Sequence, residues 1–299
     1  MLERCTAIPR IALFALLGVS AIAQAVVLRD DRQLDVSITK PPQRIVSLLP
    51  SLTETVCALG QCEKLVGVDR YSNWPDSIAK LPRMGGGIDP NIESVVAAKP
   101  DLVLMATSAR GAERLTALGL TVLALEPRSH ADVQRVMRIV AQALDVSVVE
   151  SDRVWREIDA AVNVAAQSIP AKAKGQRVYF EVSPAPYGAS ESSFIGETLQ
   201  RLGARNILSA SLGPFPQINP EFVVRAQPDI IMVGDSSFAD MSTRPGWQNM
   251  QAIRTHQVCH FKSHESDVLV RAGPRMAEAA HLMAKCLTGK ANDKSKGQP

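Results

Sequence analysis

A short segment of this chain occurs twice. Residues 91–101 match residues 219–229 at their Asn, Glu, Val-Val, Ala and Pro-Asp positions, and each copy is followed by an apolar run, 102–105 or 230–233. Two copies this far apart exclude a solenoid, in which repeats of this kind stack at short intervals. They predict two lobes of similar build, each with a helix, a Pro-Asp break and a buried strand. A cleft between two such lobes is the expected place for a ligand.

Strand and helix patterns alternate along the rest of the chain, which predicts an α/β fold with parallel-rich sheets covered by helices. Ser51 followed by Glu54 has the spacing of a helix capping box. An apolar stripe over 151–167 predicts a single long helix that joins the lobes. We predict the following organisation: signal peptide 1–25, N-terminal lobe 26–144, connecting helix 145–172, C-terminal lobe 173–288 and flexible tail 289–299.

The beginning of the chain has the features of an export signal. Two arginines precede a short apolar run, 11–19, and residues 23–25 have the small-x-small pattern of a cleavage site. This apolar run is shorter than a helix needs to span a membrane. We therefore predict cleavage after Ala25. The formal net charge is +3 for the whole chain, too small a balance to indicate a nucleic-acid partner.

Four cysteines follow the signal segment: Cys57, Cys62, Cys259 and Cys286. An even number of cysteines in an exported chain favours disulfides. A Cys57–Cys62 bridge would staple the turn at a helix end, and Cys259 with Cys286 is the remaining pair. A metal site at the first pair is the alternative, and the lack of a neighbouring histidine makes it less favoured.

The usual catalytic motifs of α/β enzymes are missing. The sequence contains no phosphate-binding P-loop, no G-x-G-x-x-G after a strand and no G-x-S-x-G elbow. The common α/β enzyme classes are therefore less favoured, and we expect no cofactor. An exported α/β enzyme that uses Asp267 or Glu191 as a cleft acid is the alternative from another class.

Three histidines, His256, His260 and His264, are spaced by four residues. On a helix this spacing would make a metal-binding stripe. Residues 258–261 predict a strand instead, on which these side chains lie too far apart for one ion. We expect ordinary surface or packing roles, no metal site, and a position for His264 in the loop after the strand.

The repeated glutamates, Glu93 and Glu221, have two compatible interpretations. With Asn91 and Asn219 as N-caps, each glutamate lies in a first helical turn and stabilises the helix dipole. The glutamates could also be equivalent carboxylates, one on each lobe, that face a partner with two basic pockets.

Three motifs in order carry a family resemblance: 44–54, 65–72 and the first repeat copy. They resemble the iron-siderophore and cobalamin class of solute-binding proteins of bacterial ABC importers, most of all its cobalamin binders, and the resemblance covers residues 44–287. It implies two α/β lobes, a rigid connecting helix, a cleft ligand, no catalysis and a periplasmic location. It also implies that Glu93 and Glu221 dock on a permease dimer that works with an ATPase. We expect a monomer.

The resemblance also implies a set of ligand-binding residues. They are Pro50, Ser51, Tyr71, Gly86, Gly87, Tyr187, Phe215, Asp267 and Arg271. Phe215 replaces a tryptophan of the cobalamin binders, and Leu202 stands where they have a disulfide cysteine. Aromatic rings offer flat apolar area, and a polar pair can bind amides at a ligand's edge. A cobalamin-like corrinoid is the expected ligand, and a ferric siderophore or haem is the alternative, with Arg70, Arg83 and Arg271 available for catecholates.

Overall fold

The computed structural model describes residues 25–184, 186–234, 241 and 243–289. The predicted signal peptide before Ala25 and the tail beyond residue 289 lie outside the described residues. The strands are β1 (Val26–Arg29), β2 (Asp35–Ile38), β3 (Ile45–Ser47), β4 (Leu65–Val68), β5 (Leu102–Met105), β6 (Val122–Ala124), β7 (Arg177–Ser183), β8 (Tyr187–Gly188), β9 (Arg205–Asn206), β10 (Ile230–Gly234) and β11 (Val258–Phe261). The α-helices are α1 (Pro50–Ala58), α2 (Ile92–Ala97), α3 (Ala112–Ala117), α4 (His130–Ala143), α5 (Val148–Gln167), α6 (Phe194–Arg201), α7 (Pro220–Ala226), α8 (Gln251–Arg254), α9 (Ser263–Leu269) and α10 (Met276–Leu287).

Two parallel sheets share one strand order. The first sheet has the order β4-β3-β5-β6, and the second has β9-β7-β10-β11, with all of these pairs parallel. The short strand β8 adds to β7 in the antiparallel direction. In each sheet the repeated segment leads into the same inner strand, β5 or β10. The α/β fold with two lobes is therefore confirmed, and the duplication extends to the topology of the whole sheet.

The two copies of the repeat have the same local geometry. The side chain of Asn91 accepts a hydrogen bond from a first-turn backbone N–H of α2, and Asn219 does the same for α7. Both helices are followed by a non-glycine residue with positive φ, 48° at Lys99 and 45° at Gln227. This left-handed residue ends the helix before the Pro-Asp break, because the residue preceding a proline avoids the right-handed helical region.

The aspartate of each Pro-Asp break fastens the start of its sheet. An Oδ2 atom of Asp101 accepts hydrogen bonds from the backbone N–H groups of Gln43 and Arg44, and Asp229 accepts one from Arg177 at 2.7 Å. In return, the N–H of each aspartate donates to the carbonyl of Arg44 or Arg177. These equivalent bonds set the register between β3 and β5 in the first lobe and between β7 and β10 in the second.

The sheets are covered on both faces, as parallel sheets require. Alternate residues of β5 show this: Leu102 and Leu104 face one apolar cluster, whereas Val103 and Met105 face another. The first cluster also takes in α4, α5, α10 and residues of the second sheet. Full burial of one such side chain contributes about 1.5–3 kcal/mol to folding. One continuous core therefore runs through both lobes.

Helix α5 lies between the two sheets in the chain and packs against α4 and α10. It begins three residues before the predicted stripe, because the Ser147 side chain accepts a hydrogen bond from the N–H of Glu150 at 3.2 Å and caps it. Helix α4, with Val133 and Val140 buried, was not predicted from the sequence. The domain boundaries at 144 and 172 stay predictions. Within the described ranges, no helix combines the length and apolarity needed to cross a membrane.

The predicted capping box of α1 is wrong. The helix begins at Pro50 with Leu49 as N-cap and without a side-chain cap, so Ser51 lies inside the first turn. Proline is favoured at the first helical position because its φ is already helical and its missing N–H needs no partner. Glu54 is bound to Arg271 rather than turned back to the helix start.

Candidate functional site

Residues that follow the carboxyl ends of strands in the two sheets contact each other through their side chains. After β4 the chain continues to Asn73, and after β11 it enters α9, which carries Asp267. The Nδ2 atom of Asn73 donates to Oδ2 of Asp267 at 2.7 Å. In open α/β sheets, ligands bind in the crevice outside the carboxyl ends of the strands. The junction of the two edges is therefore the candidate site.

Tyr71 lies at this junction, and its backbone is fixed by Asp69 of the same lobe. Tyr71 is 61% exposed. The backbone N–H of Tyr71 donates to Oδ1 of the fully buried Asp69 at 2.8 Å. Asp69 also accepts a hydrogen bond from the Ser72 hydroxyl. Burial raises the pKa of Asp69, and these hydrogen bonds act in the opposite direction. The guanidinium of Arg70 lies 5.8 Å from the Tyr71 ring centroid.

Arg271 reaches from the second lobe into the first and is 6% exposed. Its Nη1 donates to Glu54 and to Oδ1 of Asn73, both at 2.9 Å, and its Nη2 donates to the Tyr71 carbonyl at 2.9 Å. The same Nη2 lies 3.1 Å from Oδ2 of Asp267. The structure thus brings the predicted Asp267–Arg271 pair to Tyr71, but it gives both side chains partners within the protein.

Glu54 is the buried counterion of Arg271. It is 1% exposed, and its second oxygen, Oε2, has no hydrogen-bond partner in the described part of the chain. Desolvation raises the pKa of Glu54, while the hydrogen bond and charge of Arg271 lower it. Sequence reasoning missed Glu54 and Asn73 as members of this cluster, because their partners lie about two hundred residues away. No local pattern signals such a pair.

A cavity of about 540 Å³ opens beside Asp267 at the carboxyl edge of the second sheet. It is lined by Phe180, Glu181, Val182, Gly234, Phe261, Ser263, Ser266, Asp267, Leu269 and Val270. Glu181 is bound by both terminal nitrogens of Arg244, at 2.7 and 2.8 Å. Its charge is therefore already neutralised. The walls offer apolar surface, hydroxyl groups and a carboxylate, and the volume is that of a typical ligand pocket.

The remaining predicted ligand residues separate into two groups. Gly87 lies against the end of β3, since a Cβ there would come 3.0 Å from the carbonyl of Leu48, and a Cβ on Gly86 would meet the Arg70 guanidinium at 3.4 Å. These glycines allow a close approach in the first lobe near Tyr71. Ser51 packs in the same region, against Gly273 of the second lobe. Pro50 is half-buried at the start of α1.

Tyr187 and Phe215 lie on the β8 side of the second sheet. Tyr187 pairs with Ser183 in β7, and its side chain is partly exposed. The Phe215 ring packs edge-on against Phe194 with centroids 5.8 Å apart. The backbone N–H of Phe194 donates to the Arg128 carbonyl of the first lobe. Phe194, and Phe215 through its contact with Phe194, therefore lie at a second contact region between the lobes.

This second contact region is centred on His130, which sequence reasoning did not single out. Its Nε2 lies 2.9 Å from the Thr198 hydroxyl, and Nδ1 accepts from Nη1 of Arg201 at 3.1 Å. Glu197 accepts from the His130 backbone N–H, and Asp159 pairs with Arg201 at 2.8 Å. Desolvation, followed by the charge of Arg201, lowers the pKa of His130 to about 4.

We expect this histidine to make the protein less stable in acid. The unfolded chain binds a proton near the ordinary pKa of 6.5, whereas the folded chain resists it until about 4. Stability therefore falls as the pH drops through this window, by about 2–3 kcal/mol at pH 4.5. Urea unfolding at pH 7.5 and 4.5 should show a smaller acid loss in His130→Gln. The exposed His281→Gln is the control, and an unchanged acid slope in His130→Gln contradicts the assignment.

The other predicted sulfur and histidine features have clear outcomes. Both disulfides are confirmed, Cys57–Cys62 and Cys259–Cys286, so the metal alternative at the first pair is wrong. The second bridge ties β11 to α10. His264 lies in α9 rather than in a loop, as part of the first helical turn. Among the described residues, no group of three or more metal-binding side chains occurs.

Glu93 and Glu221 occupy equivalent exposed positions on the two lobes. Each lies in the first turn of a short helix, α2 or α7, next to its asparagine cap. The side chain of Glu221 is 78% exposed and comes no closer than 4.0 Å to Arg225. The structure thus confirms the N-caps, and it leaves both carboxylates accessible. Docking on a permease stays a prediction.

Comparison with known proteins gives consistent matches over most of the chain. A model of periplasmic binding proteins matches residues 45–265. The chain is 30% identical to the uncharacterized ABC transporter substrate-binding lipoprotein YvrC of Bacillus subtilis, over 88% of this chain and 85% of that protein. It is 27% identical to a vitamin B12-binding protein of Pectobacterium carotovorum, over 83% and 89% respectively.

A solved structure agrees with these relatives. The periplasmic heme-binding protein RhuT from Roseiflexus sp. RS-1 aligns with a TM-score of 0.70 and 25% identity, covering 83% of this chain and 99% of that one. The relatives are substrate-binding proteins of transport systems, which confirms the prediction of a binding protein and removes support for the enzyme alternative. Its relatives include vitamin B12-binding proteins, and the chain belongs to the periplasmic binding protein family.

Proposed function

We propose that this protein captures a cobalamin-like corrinoid in the periplasm and delivers it to the permease of an ABC importer. In this proposal the signal peptide is cleaved after Ala25 and the mature chain acts as a monomer. Tyr71, together with Pro50, Gly86 and Gly87, provides the ligand surface of the first lobe. The cavity beside Asp267 provides the surface of the second lobe.

The observation that carries the corrinoid proposal is the state of the arginines at the junction. Nη1 of Arg83 donates to the Ser72 carbonyl at 2.6 Å, and Arg271 binds Glu54 and three other acceptors. Two of the three arginines considered for catecholates are thus already bound to the protein. A catecholate siderophore carries several negative charges that need cationic partners. A corrinoid presents amide groups and apolar ring surface, which suit the serine residues and the apolar side chains of the cavity wall.

Haem is the second candidate, and a specific feature favours it. Protein-bound haem iron takes an axial ligand such as His, Cys, Met or Tyr. Tyr71 at the lobe junction and Tyr187 in β8 are both partly exposed. A solved relative of this chain is a heme-binding protein. Haem propionates, however, are anionic and would meet Asp267 and only one uncommitted arginine of the three, Arg70.

Titration of the purified mature chain decides between these ligands. We expect cyanocobalamin to bind with a dissociation constant of about 1 µM or tighter, measured by calorimetry. Haemin and a ferric catecholate siderophore should bind at least tenfold more weakly. Tight haemin binding with a tyrosine-to-iron absorption band, or tight siderophore binding without cyanocobalamin binding, would overturn the corrinoid proposal.

A further inference from the structure

Three residues of the first-lobe segment 71–74 are held by a row of side chains from the second lobe. Asp267, Arg271 and Arg275 are spaced by four in the sequence, and all three face the segment 71–74. Asp267 accepts from Asn73, and Arg271 binds both Asn73 and the Tyr71 carbonyl. Arg275 lies 5.1 Å from the ring centroid of Trp74. We call these three side chains the latch row.

The backbone of Tyr71 is held from both lobes at once. Its N–H donates to Asp69 of its own lobe, and its carbonyl accepts from Arg271 of the other lobe. Both of these charged groups are buried, so solvent does not compete for the bonds. The direction in which the Tyr71 ring points is therefore set by how the second lobe approaches the first.

Arg271 has little capacity left for a ligand. A guanidinium has five N–H donors, and four short contacts already engage Nη1 and Nη2: Glu54, Asn73, the Tyr71 carbonyl and Asp267. A ligand could bind these nitrogens only by displacing one of those partners. Displacing Glu54 would leave a buried carboxylate without its counterion, which is strongly unfavourable.

We propose that Asp267 and Arg271 act as positioning residues, which hold the Tyr71 ring against the ligand through Asn73 and the Tyr71 carbonyl. This replaces the ligand-contact role that the family resemblance implied for both residues. The inference rests on the proposed function, because it takes Tyr71 as a ligand contact. Asn73 is the link on which it can be tested, since Asn73 is exposed and carries no charge whose loss would leave a buried ion.

A double-mutant cycle between Asn73→Ala and Tyr71→Ala tests the positioning role. We expect each single variant to weaken cyanocobalamin binding about tenfold. If Asn73 acts through the Tyr71 ring, the double variant should be no more than about threefold weaker than the worse single variant. Independent roles would instead multiply to about a hundredfold, and that result overturns the proposal. So does an unchanged affinity in Asn73→Ala. Asn249→Ala, an exposed asparagine elsewhere in the second lobe, is the matched control.

Hydrogen exchange separates this inference from the proposed function. In the free protein, Asn73→Ala should speed amide exchange of residues 71–74 at least tenfold and leave exchange in α3 unchanged, because the bonds from Asn73 to Asp267 and Arg271 are lost. If wild type binds haemin instead of cyanocobalamin, the corrinoid proposal fails and the same cycle is measured with haemin. If it binds neither probe, unchanged amide exchange at residues 71–74 overturns the inference that the latch row holds this segment, and faster exchange supports it.

Discussion

Reversal of both repeated glutamates, Glu93→Lys with Glu221→Lys, should abolish ligand uptake while ligand binding stays within about twofold of wild type. The two carboxylates are exposed, lie on different lobes and occupy equivalent positions of a duplicated helix. Such a pair fits a partner with two equivalent basic sites, as a permease dimer would present. Four units of charge change at a charge-complementary interface, and each like-charge contact costs several kcal/mol. Uptake of labelled ligand by cells with the cognate permease is the measurement.

The control for this prediction must carry the same helix-dipole cost. Glu113 and Glu150 are also acidic residues in first helical turns, one on α3 and one on α5. The variant Glu113→Lys with Glu150→Lys should lose about 0.3–1 kcal/mol of stability per site and still support uptake. Normal uptake by the Glu93/Glu221 variant ends the docking proposal. Equal loss of uptake in the control assigns the effect to charge or stability rather than to docking.

The sequence predicted the parts of this fold that depend on local signals. The asparagine caps and the Pro-Asp breaks can be recognised from a few neighbouring residues, and the strands after them are uninterrupted apolar runs. Both disulfides followed from an even cysteine count and an exported chain. The capping box at Ser51 failed because a neighbouring proline offered a competing helix start. Helix α4 has ordinary amphipathic spacing, with Val133, Val136 and Val140 buried, and lay in a segment for which no element was predicted.

The candidate site was predicted less completely, since its chemistry depends on contacts between distant parts of the chain. The family resemblance placed Tyr71, Asp267 and Arg271 in the cleft, and the structure brings these three together. It could not reveal that Glu54 neutralises Arg271 or that Asn73 binds both members of the polar pair. A charged residue in the middle of a helix, such as Glu54, has the same sequence appearance whether it faces solvent or a buried guanidinium.

The second large effect is expected at this buried ion pair. Arg271→Met should lower the free energy of unfolding by about 3–5 kcal/mol, the usual cost of leaving a buried charge without its partner. Arg271 and Glu54 are 6% and 1% exposed, so solvent cannot replace the lost interaction. Chemical denaturation at pH 7.5 is the measurement. The control Arg225→Met removes an exposed arginine that lies 4.0 Å from Glu221, and it should cost no more than about 0.5 kcal/mol.

The pH dependence of the stability of Arg271→Met tests whether the unpaired Glu54 carboxylate causes the loss of stability. Without Arg271, only the charge of Arg275 opposes the desolvation that raises the pKa of Glu54 above its ordinary value of 4.5. Because the pKa of Glu54 is raised in the folded state, the variant loses least stability below about pH 4.5, where the carboxyl is protonated in both the folded and the unfolded state. The loss of stability grows as the pH rises. Glu54→Gln combined with Arg271→Met should recover at least half of the lost stability at pH 7.5, because a neutral amide replaces the stranded carboxylate. The contrary result is a loss of stability that does not change with pH and that Glu54→Gln does not relieve. It would indicate that Arg271 stabilises the lobe junction through packing and through its bonds to Asn73 and the Tyr71 carbonyl.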